Sequence, residues 1–131
     1  MQYIYKQLLR LTIHKYLLSG IWTLIIVYLS LGRMPNPEPV TKLIPFLDKI
    51  AHFSMYFILS TLLLLEFLKS AKKNIIVLIM FYSICMGALM EILQAYLFIY
   101  RSGDYYDILF NSIGSLTALA LYFYYKKTIE R

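Results

Sequence analysis

Four long apolar stretches, separated by short polar segments, dominate the chain. They cover residues 16–32, 49–68, 75–96 and 107–125. A helix needs about 20 apolar residues to cross the hydrocarbon core of a bilayer. Each stretch is expected to be helical, because lipid cannot satisfy free backbone N–H and C=O groups. The pattern therefore predicts an all-α membrane protein with four transmembrane helices, in a single domain that covers residues 1–131.

The composition agrees with a lipid environment. Of the 131 residues, 60% are hydrophobic and only 15% are charged, whereas a soluble domain of this size needs much more polar surface. The net charge of +6 comes with basic residues that flank the apolar stretches. No polar domain carries a basic and aromatic stripe, so no nucleic acid partner is expected. Cys85 is the single cysteine, which excludes an intramolecular disulfide.

The basic residues are distributed unevenly between the two ends of the spans. Three precede the first span, three lie between the second and third, and three follow the fourth, whereas only four lie at the opposite ends. Cytoplasmic loops of membrane proteins carry the excess of lysine and arginine. Both termini are therefore predicted to be cytoplasmic, and the segment RSGDYYDILFN at residues 101–111 is predicted to face outward.

Polar residues of three predicted helices fall at one depth. With a rise of about 1.5 Å per residue, Glu91 lies about 24 Å from the cytoplasmic end of its span. The corresponding distances are about 21 Å for His52 and about 22 Å for Asn111. In a core about 30 Å thick, all three side chains belong to the outer third.

Helical spacing groups these side chains further. Residues four apart, such as Asp48 and His52, share a helix face, as do Glu91 and Gln94 at a spacing of three. Ionisable groups inside a membrane usually face the bundle interior or a wet cavity. We therefore predict one outward-facing pocket, whose ligand-binding residues are Asp48, Lys49, His52, Tyr56, Glu91, Gln94, Arg101, Asp107 and Asn111.

Several of these residues have a simpler structural interpretation. Asp48, Asp104 and Asp107 lie near predicted helix starts, where carboxylates stabilise free N–H groups. Arg101 could neutralise a carboxylate, and His52 could form an interhelical hydrogen bond. Glu91 is the hardest to explain in this way, because it follows a long uncharged run and has no basic neighbour within two turns of its own helix.

Two further expectations concern packing. Gly114 and Ala118 form a small-xxx-small step that permits close approach of helices, and Gly87 is expected to act similarly on the third span. Glu66 is expected to form a solvated pair with Lys69 at the cytoplasmic edge.

Three segments carry a family resemblance when they are taken in order. They are DKIAHFSMYFILSTLLL at 48–64, GALMEILQ at 87–94 and RSGDYYDILFNSIGS at 101–115. Together they resemble the VanZ-like family of small bacterial membrane proteins, named for a teicoplanin-resistance accessory protein. The family pattern falls on Asp48, Lys49, His52, Tyr56, Glu91, Gln94, Arg101, Asp107, Asn111 and Gly114. The resemblance implies a multi-pass protein of the bacterial cytoplasmic membrane, a cell-envelope setting and altered glycopeptide susceptibility, but it supplies no reaction.

The first functional hypothesis is a binding or remodelling site for an anionic envelope lipid or a lipid-linked cell-wall precursor. Lys49 and Arg101 would hold its phosphate. The second is a membrane-embedded enzyme, in which Glu91, Asp107 and His52 are the candidate acid, base or nucleophile. A metal-assisted variant would use Asp48, His52, Glu91 and Asp107. No spacing matches a known metal or cofactor motif, so neither a metal nor a cofactor is predicted from motifs.

A third hypothesis is structural. The polar groups would satisfy one another across helices, and function would lie with a membrane-protein partner or a second copy of the chain. Interhelical polar bonds contribute only about 0.6 kcal/mol on average, so stability alone is a weak reason to bury so many.

Overall fold

The fold is an arrangement of four helices, described here from a computed structural model. The structure describes residues 16–32, 46–67, 72–97 and 104–129. The helices are α1 (Leu17–Leu31), α2 (Leu47–Glu66), α3 (Lys73–Leu97) and α4 (Tyr105–Ile129). Within these described ranges there is no strand, which confirms the all-α prediction. Each helix begins and ends within four residues of the predicted bounds.

Three of the helices are long and apolar enough to cross a membrane. The qualifying segments are Leu47–Glu66, Lys73–Leu97 and Tyr105–Thr128. Helix α1 is also apolar but has only 15 residues, which corresponds to about 22 Å against a core of about 30 Å. The structure therefore supports a multi-pass membrane protein. A fourth span and the cytoplasmic position of both termini stay predictions.

Large apolar side chains cover the outside of the helices. Leu24 is 70% exposed and Phe81 is 67% exposed, and similar residues occur on all four helices. A soluble protein rarely exposes contiguous apolar surface of this extent. In a bilayer this surface contacts lipid chains, so the exposed apolar residues agree with the membrane assignment.

Close packing of α2 against α4 depends on a glycine. A Cβ atom at Gly114 would overlap the backbone oxygen of Phe53, and the adjoining Ala118 is also buried. On α3, a Cβ atom at Gly87 would lie 3.0 Å from the Cβ atom of Asn111. The prediction that small residues permit close helix approach is confirmed.

Two apolar clusters occupy the interior. One, where α2 ends and α3 begins, consists of Leu64, Ile76, Ile79, Ala118 and Tyr122. The other consists of Ile26, Tyr56, Leu59 and Met90. Close van der Waals packing of these side chains holds the helices in register, because lipid offers little hydrophobic driving force for helix association, and it determines which polar groups meet at the ends.

Glu66 is not a solvated residue, so the sequence-based interpretation of it was wrong. Its carboxylate is buried and accepts hydrogen bonds from the backbone N–H of Ser19 at 3.1 Å and from the Ser19 hydroxyl at 2.7 Å. The expected partner, Lys69, lies outside the described residues. The contact joins the start of α1 to the end of α2, a relationship that residue spacing within one helix cannot reveal.

Candidate functional site

The starts of α2 and α4 and the last turns of α3 lie at the same end of the fold. Contacts of His52 with both Glu91 and Asn111 show this arrangement, because each residue comes from a different helix. We define the polar cluster as the charged and amide residues that meet at this end: Asp48, Lys49, His52, Glu91, Asp104, Asp107 and Asn111. His52, Glu91, Asp107 and Asn111 are buried.

Lys49 is the cation of the polar cluster, and carboxylates surround it. Its Nζ atom donates to Asp104 Oδ2 at 2.6 Å and to Asp107 Oδ1, and it lies 3.7 Å from Asp48 Oδ2. Charge-assisted hydrogen bonds of this kind are among the strongest in proteins. A phosphate at Lys49 would therefore have to compete with two carboxylates already bound to the ammonium.

Asp104 has a double role at the start of α4. Its Oδ1 atom accepts from the backbone N–H of Tyr106 at 2.9 Å, which is the N-cap geometry proposed from the sequence. Its Oδ2 atom bonds Lys49. The hydrogen bond from Lys49, followed by that from the Tyr106 amide, lowers the pKa of Asp104 below its ordinary value. Asp104 thus belongs to the polar cluster, although the sequence favoured a capping role alone.

His52 connects the two halves of the polar cluster. Its Nδ1 atom lies 3.1 Å from Asn111 Oδ1 and 3.5 Å from Glu91 Oε1. Its Nε2 atom lies 3.6 Å from Asp48 Oδ1 and 3.7 Å from Asp107 Oδ2. Because an amide oxygen only accepts, Nδ1 carries the proton in this arrangement, and in the neutral ring Nε2 carries the lone pair.

Glu91 has a carboxylate with no hydrogen-bond partner among the described residues. The residue is 3% exposed, and both its oxygens are fully buried. Burying a carboxylate without a partner is costly, so such a group needs a proton, a ligand or a counter-charge. The polar cluster contains four carboxylates and one ammonium, which gives the site a surplus of hydrogen-bond acceptors and negative charge.

Of the nine predicted site residues, six lie in the polar cluster: Asp48, Lys49, His52, Glu91, Asp107 and Asn111. Tyr56 lies in the apolar cluster beside Met90, and its hydroxyl has no hydrogen-bond partner among the residues that the structure describes. Gln94 donates to the backbone oxygen of Ser30 at 2.9 Å, which connects α3 to α1. Arg101 lies outside the described residues.

Two contacts near the helix ends could not be found by sequence reasoning, namely Ser19 with Glu66 and Ser30 with Gln94. A serine hydroxyl such as that of Ser19 is a weak signal in an apolar helix, because it usually bonds its own backbone. Gln94 bonds the backbone oxygen of Ser30, a group that every residue carries. Asp104 offered a better signal, since its spacing of three from Asp107 places both carboxylates on one face.

A comparison with protein families decides the assignment. The sequence model of VanZ/LLP1 matches residues 3–126, which includes every residue of the polar cluster. The chain belongs to the VanZ/LLP1 family. The resemblance read from the three segments at 48–64, 87–94 and 101–115 is thereby confirmed.

This VanZ/LLP1 protein also resembles a curated protein from a yeast. It is 30% identical over 125 residues to "Uncharacterized protein C11E3.10" of Schizosaccharomyces pombe, and the alignment covers 94% of this chain and 73% of the relative. No solved structure matches the chain. Family membership and the apolar helices support a multi-pass membrane location, and the bacterial cytoplasmic membrane stays a prediction.

Proposed function

We propose that this VanZ/LLP1 protein binds the headgroup of a phosphate-bearing envelope lipid or of a lipid-linked cell-wall precursor in its polar cluster. The observation that carries the proposal is the buried carboxylate of Glu91, which has no hydrogen-bond partner among the described residues. His52 Nδ1 lies 3.5 Å from Glu91 Oε1, beyond the usual hydrogen-bond distance, whereas a headgroup with hydrogen-bond donors would satisfy the carboxylate.

The surplus of acceptors defines the chemistry of the headgroup. Asp48 and Asp104 are the outermost carboxylates, with side chains 46% and 40% exposed. Carboxylates accept hydrogen bonds from hydroxyl and ammonium groups, and they repel a bare phosphate. A fitting ligand therefore carries hydroxyl or amine donors beside its phosphate, as lipid-linked sugars and the headgroups of phosphatidylglycerol and phosphatidylethanolamine do.

The phosphate needs a positively charged partner. The Lys49 ammonium is poorly available for this role, because it already bonds Asp104 and Asp107. The original hypothesis gave this role to both Lys49 and Arg101. We now assign the anionic part of the headgroup to Arg101 or to a cation bound with the ligand.

Native mass spectrometry with defined lipids tests the proposal. Phosphatidylglycerol supplies hydroxyl donors, phosphatidylethanolamine supplies an ammonium, and phosphatidylcholine supplies no headgroup donor. A polyprenyl diphosphate that carries an amino sugar represents the precursor. We expect a donor-bearing lipid to bind at least tenfold more tightly than phosphatidylcholine, which corresponds to about 1.4 kcal/mol.

Substitutions in the chain separate specific binding from general lipid adhesion. Glu91→Gln should reduce the preference over phosphatidylcholine, whereas Glu66→Gln, at a buried carboxylate of the opposite end, should retain it. Equal affinity for all four lipids in the unmodified protein would contradict the proposal. Preference for the polyprenyl species over both phospholipids would identify the precursor as the source of the headgroup.

A second candidate function is acid–base catalysis on the bound headgroup. The position of His52 between Glu91 and Asp107 favours this function. One imidazole nitrogen lies 3.5 Å from a Glu91 oxygen, and the other lies 3.7 Å from an Asp107 oxygen. Such a set can move a proton through the ring. Lipid chromatography after incubation with the purified protein should then show a product that His52→Gln abolishes, and an unchanged lipid profile would exclude turnover of the lipids supplied.

Altered glycopeptide susceptibility is a further part of the proposal and rests on the family resemblance. Expression of the protein in a teicoplanin-sensitive bacterium should raise the inhibitory concentration. Glu91→Gln, expressed to the same level in the membrane, should not raise it. An equal increase with both proteins would show that the phenotype does not depend on the polar cluster.

A further inference from the structure

We propose that Asp48, His52 and Asp107 form a binding site for one divalent transition-metal ion. The three residues belong to the polar cluster, but this proposal rests on the positions of their side chains and not on a bound headgroup. One carboxylate oxygen from each aspartate and one ring nitrogen of His52 lie within 4.8 Å of one another.

The distances suit a metal ion better than direct hydrogen bonds. His52 Nε2 lies 3.6 Å from Asp48 Oδ1 and 3.7 Å from Asp107 Oδ2. Nitrogen-to-oxygen hydrogen bonds span about 2.7–3.2 Å, so neither pair forms one. A tetrahedral ion with bonds of about 2.1 Å separates its ligand atoms by roughly 3.4 Å, close to the distance of Nε2 from each carboxylate oxygen.

The far side of the imidazole is arranged as in many metal sites. Asn111 Oδ1 accepts from His52 Nδ1 at 3.1 Å, and Glu91 Oε1 lies 3.5 Å from the same nitrogen. A hydrogen bond from Nδ1 selects the tautomer whose Nε2 lone pair is free for a metal. The nitrogen that carries it lies within 3.7 Å of one oxygen of Asp48 and one of Asp107.

Lys49 and Glu91 are charged neighbours of the three proposed ligands. Each of the two aspartates directs one oxygen toward Lys49 and the other toward His52, so the ammonium leaves the inner oxygens available. Glu91 is 3% exposed, has no hydrogen-bond partner among the described residues and lies on the opposite side of the imidazole, 3.5 Å from His52 Nδ1. A buried carboxylate needs a proton, a ligand or a counter-charge, and a divalent ion bound at Nε2 would place positive charge across the ring from Glu91.

The donor set indicates the class of metal. Imidazole and carboxylate together suit zinc, iron and manganese, whereas all-oxygen sites suit magnesium and calcium. Three protein ligands also leave at least one coordination position open. Because the Asp48 side chain is 46% exposed, an external ligand could reach that position from the end of the helices.

Zinc titration of the full chain tests the site. The protein would be purified through a tag without histidine, stripped with chelator and titrated with Zn²⁺, Mn²⁺ and Mg²⁺. We expect one Zn²⁺ per chain by elemental analysis, a saturable increase in Tm and much weaker binding of Mg²⁺. Failure to observe saturable binding of either Zn²⁺ or Mn²⁺ would overturn the proposal.

Matched variants distinguish this site from other metal-binding groups. Asp48→Asn alters a partly exposed ligand and should fold, and it should weaken Zn²⁺ binding at least tenfold. Asn111→Ala should weaken it about 10- to 100-fold through loss of ring orientation. Glu66→Gln should leave the affinity unchanged. Equal Zn²⁺ affinity in Asp48→Asn and the unmodified chain would assign the ion elsewhere.

Lipid binding measured in parallel separates this inference from the proposed function. Zinc bound without any headgroup preference would retain the metal site and reject the lipid proposal. Headgroup preference in a protein that binds neither Zn²⁺ nor Mn²⁺ would support the lipid proposal and reject the metal site.

Discussion

His52 Nδ1 donates a hydrogen bond to Asn111 Oδ1 across 3.1 Å, and this contact joins α2 to α4 inside the bundle. Both residues are buried, and the contact lies beside Gly87, where α3 approaches Asn111 closely. The bond therefore holds three helices around the imidazole and orients the ring whose other nitrogen faces Asp48 and Asp107.

Asn111→Leu is expected to destabilise the protein by about 1–3 kcal/mol, because His52 Nδ1 loses its acceptor in a buried environment. The free energy of unfolding in mixed detergent micelles measures the effect. Asn74→Leu is a suitable control, since Asn74 is exposed at the start of α3 and should change little. An equal loss of unfolding free energy in the two variants would show that the contact with His52 does not contribute to stability.

Gly114→Ala is expected to cost about 1–3 kcal/mol of unfolding free energy, because its Cβ atom would overlap the backbone oxygen of Phe53 and force α2 from α4. Gly20→Ala provides a matched control, since a Cβ atom at Gly20 meets nothing within 4 Å. That variant should be neutral or slightly stabilising, because alanine favours a helix over glycine. The same stability in both variants would contradict the packing described here.

Ser19→Ala is expected to reduce stability by about 1–3 kcal/mol, because the buried Glu66 carboxylate loses the hydroxyl that donates to it at 2.7 Å. Ser112→Ala is the control, since the Ser112 hydroxyl bonds only the backbone oxygen of Ile108 in its own helix. Unfolding of the two variants under one set of detergent conditions compares them directly. A larger loss in Ser112→Ala would reject the interhelical role of Ser19.

Because of Asp104, the free energy of unfolding is expected to decrease at acid pH. Its pKa in the folded protein is lower than its usual value of about 3.9, because Lys49 donates to the ionised form. The ionised carboxylate therefore contributes its full stabilisation above the usual value, and that contribution is lost as the pH falls through the lowered pKa.

In Lys49→Met the pKa of Asp104 should return toward its usual value, as carboxylate-detected NMR titration would show. The acid-side fall in Tm that belongs to Asp104 should become smaller. Asn74→Asp adds an exposed carboxylate elsewhere and serves to confirm the ordinary value under the same detergent conditions. A pKa of Asp104 at its usual value in the unmodified protein would disprove the pairing with Lys49.

Reporter fusions at the two termini test the predicted topology. The excess of basic residues predicts that both termini are cytoplasmic, whereas the short helix α1 leaves three helices among the described residues that qualify by length. A reporter that fluoresces only in the cytoplasm should therefore be active at either end. Activity at one end alone would mean an odd number of spans.

The sequence by itself determined the helices and the spacing of the polar residues along them. Apolar runs long enough for a bilayer can form only helices there, so their bounds follow closely from composition. Spacing within a helix also indicated that Asp48 and His52 share a face, and that Gly114 permits close packing. These properties depend on residues near one another in the chain.

The tertiary structure alone decided which partners meet. Lys49 pairs with Asp104 and Asp107, Glu66 accepts from Ser19, and Gln94 bonds the Ser30 backbone. Each contact depends on how far a helix is rotated and where it crosses its neighbour, and these quantities are set by packing of the apolar clusters. A period of 3.6 residues specifies a face and a height, but it does not specify which side chain of another helix lies opposite.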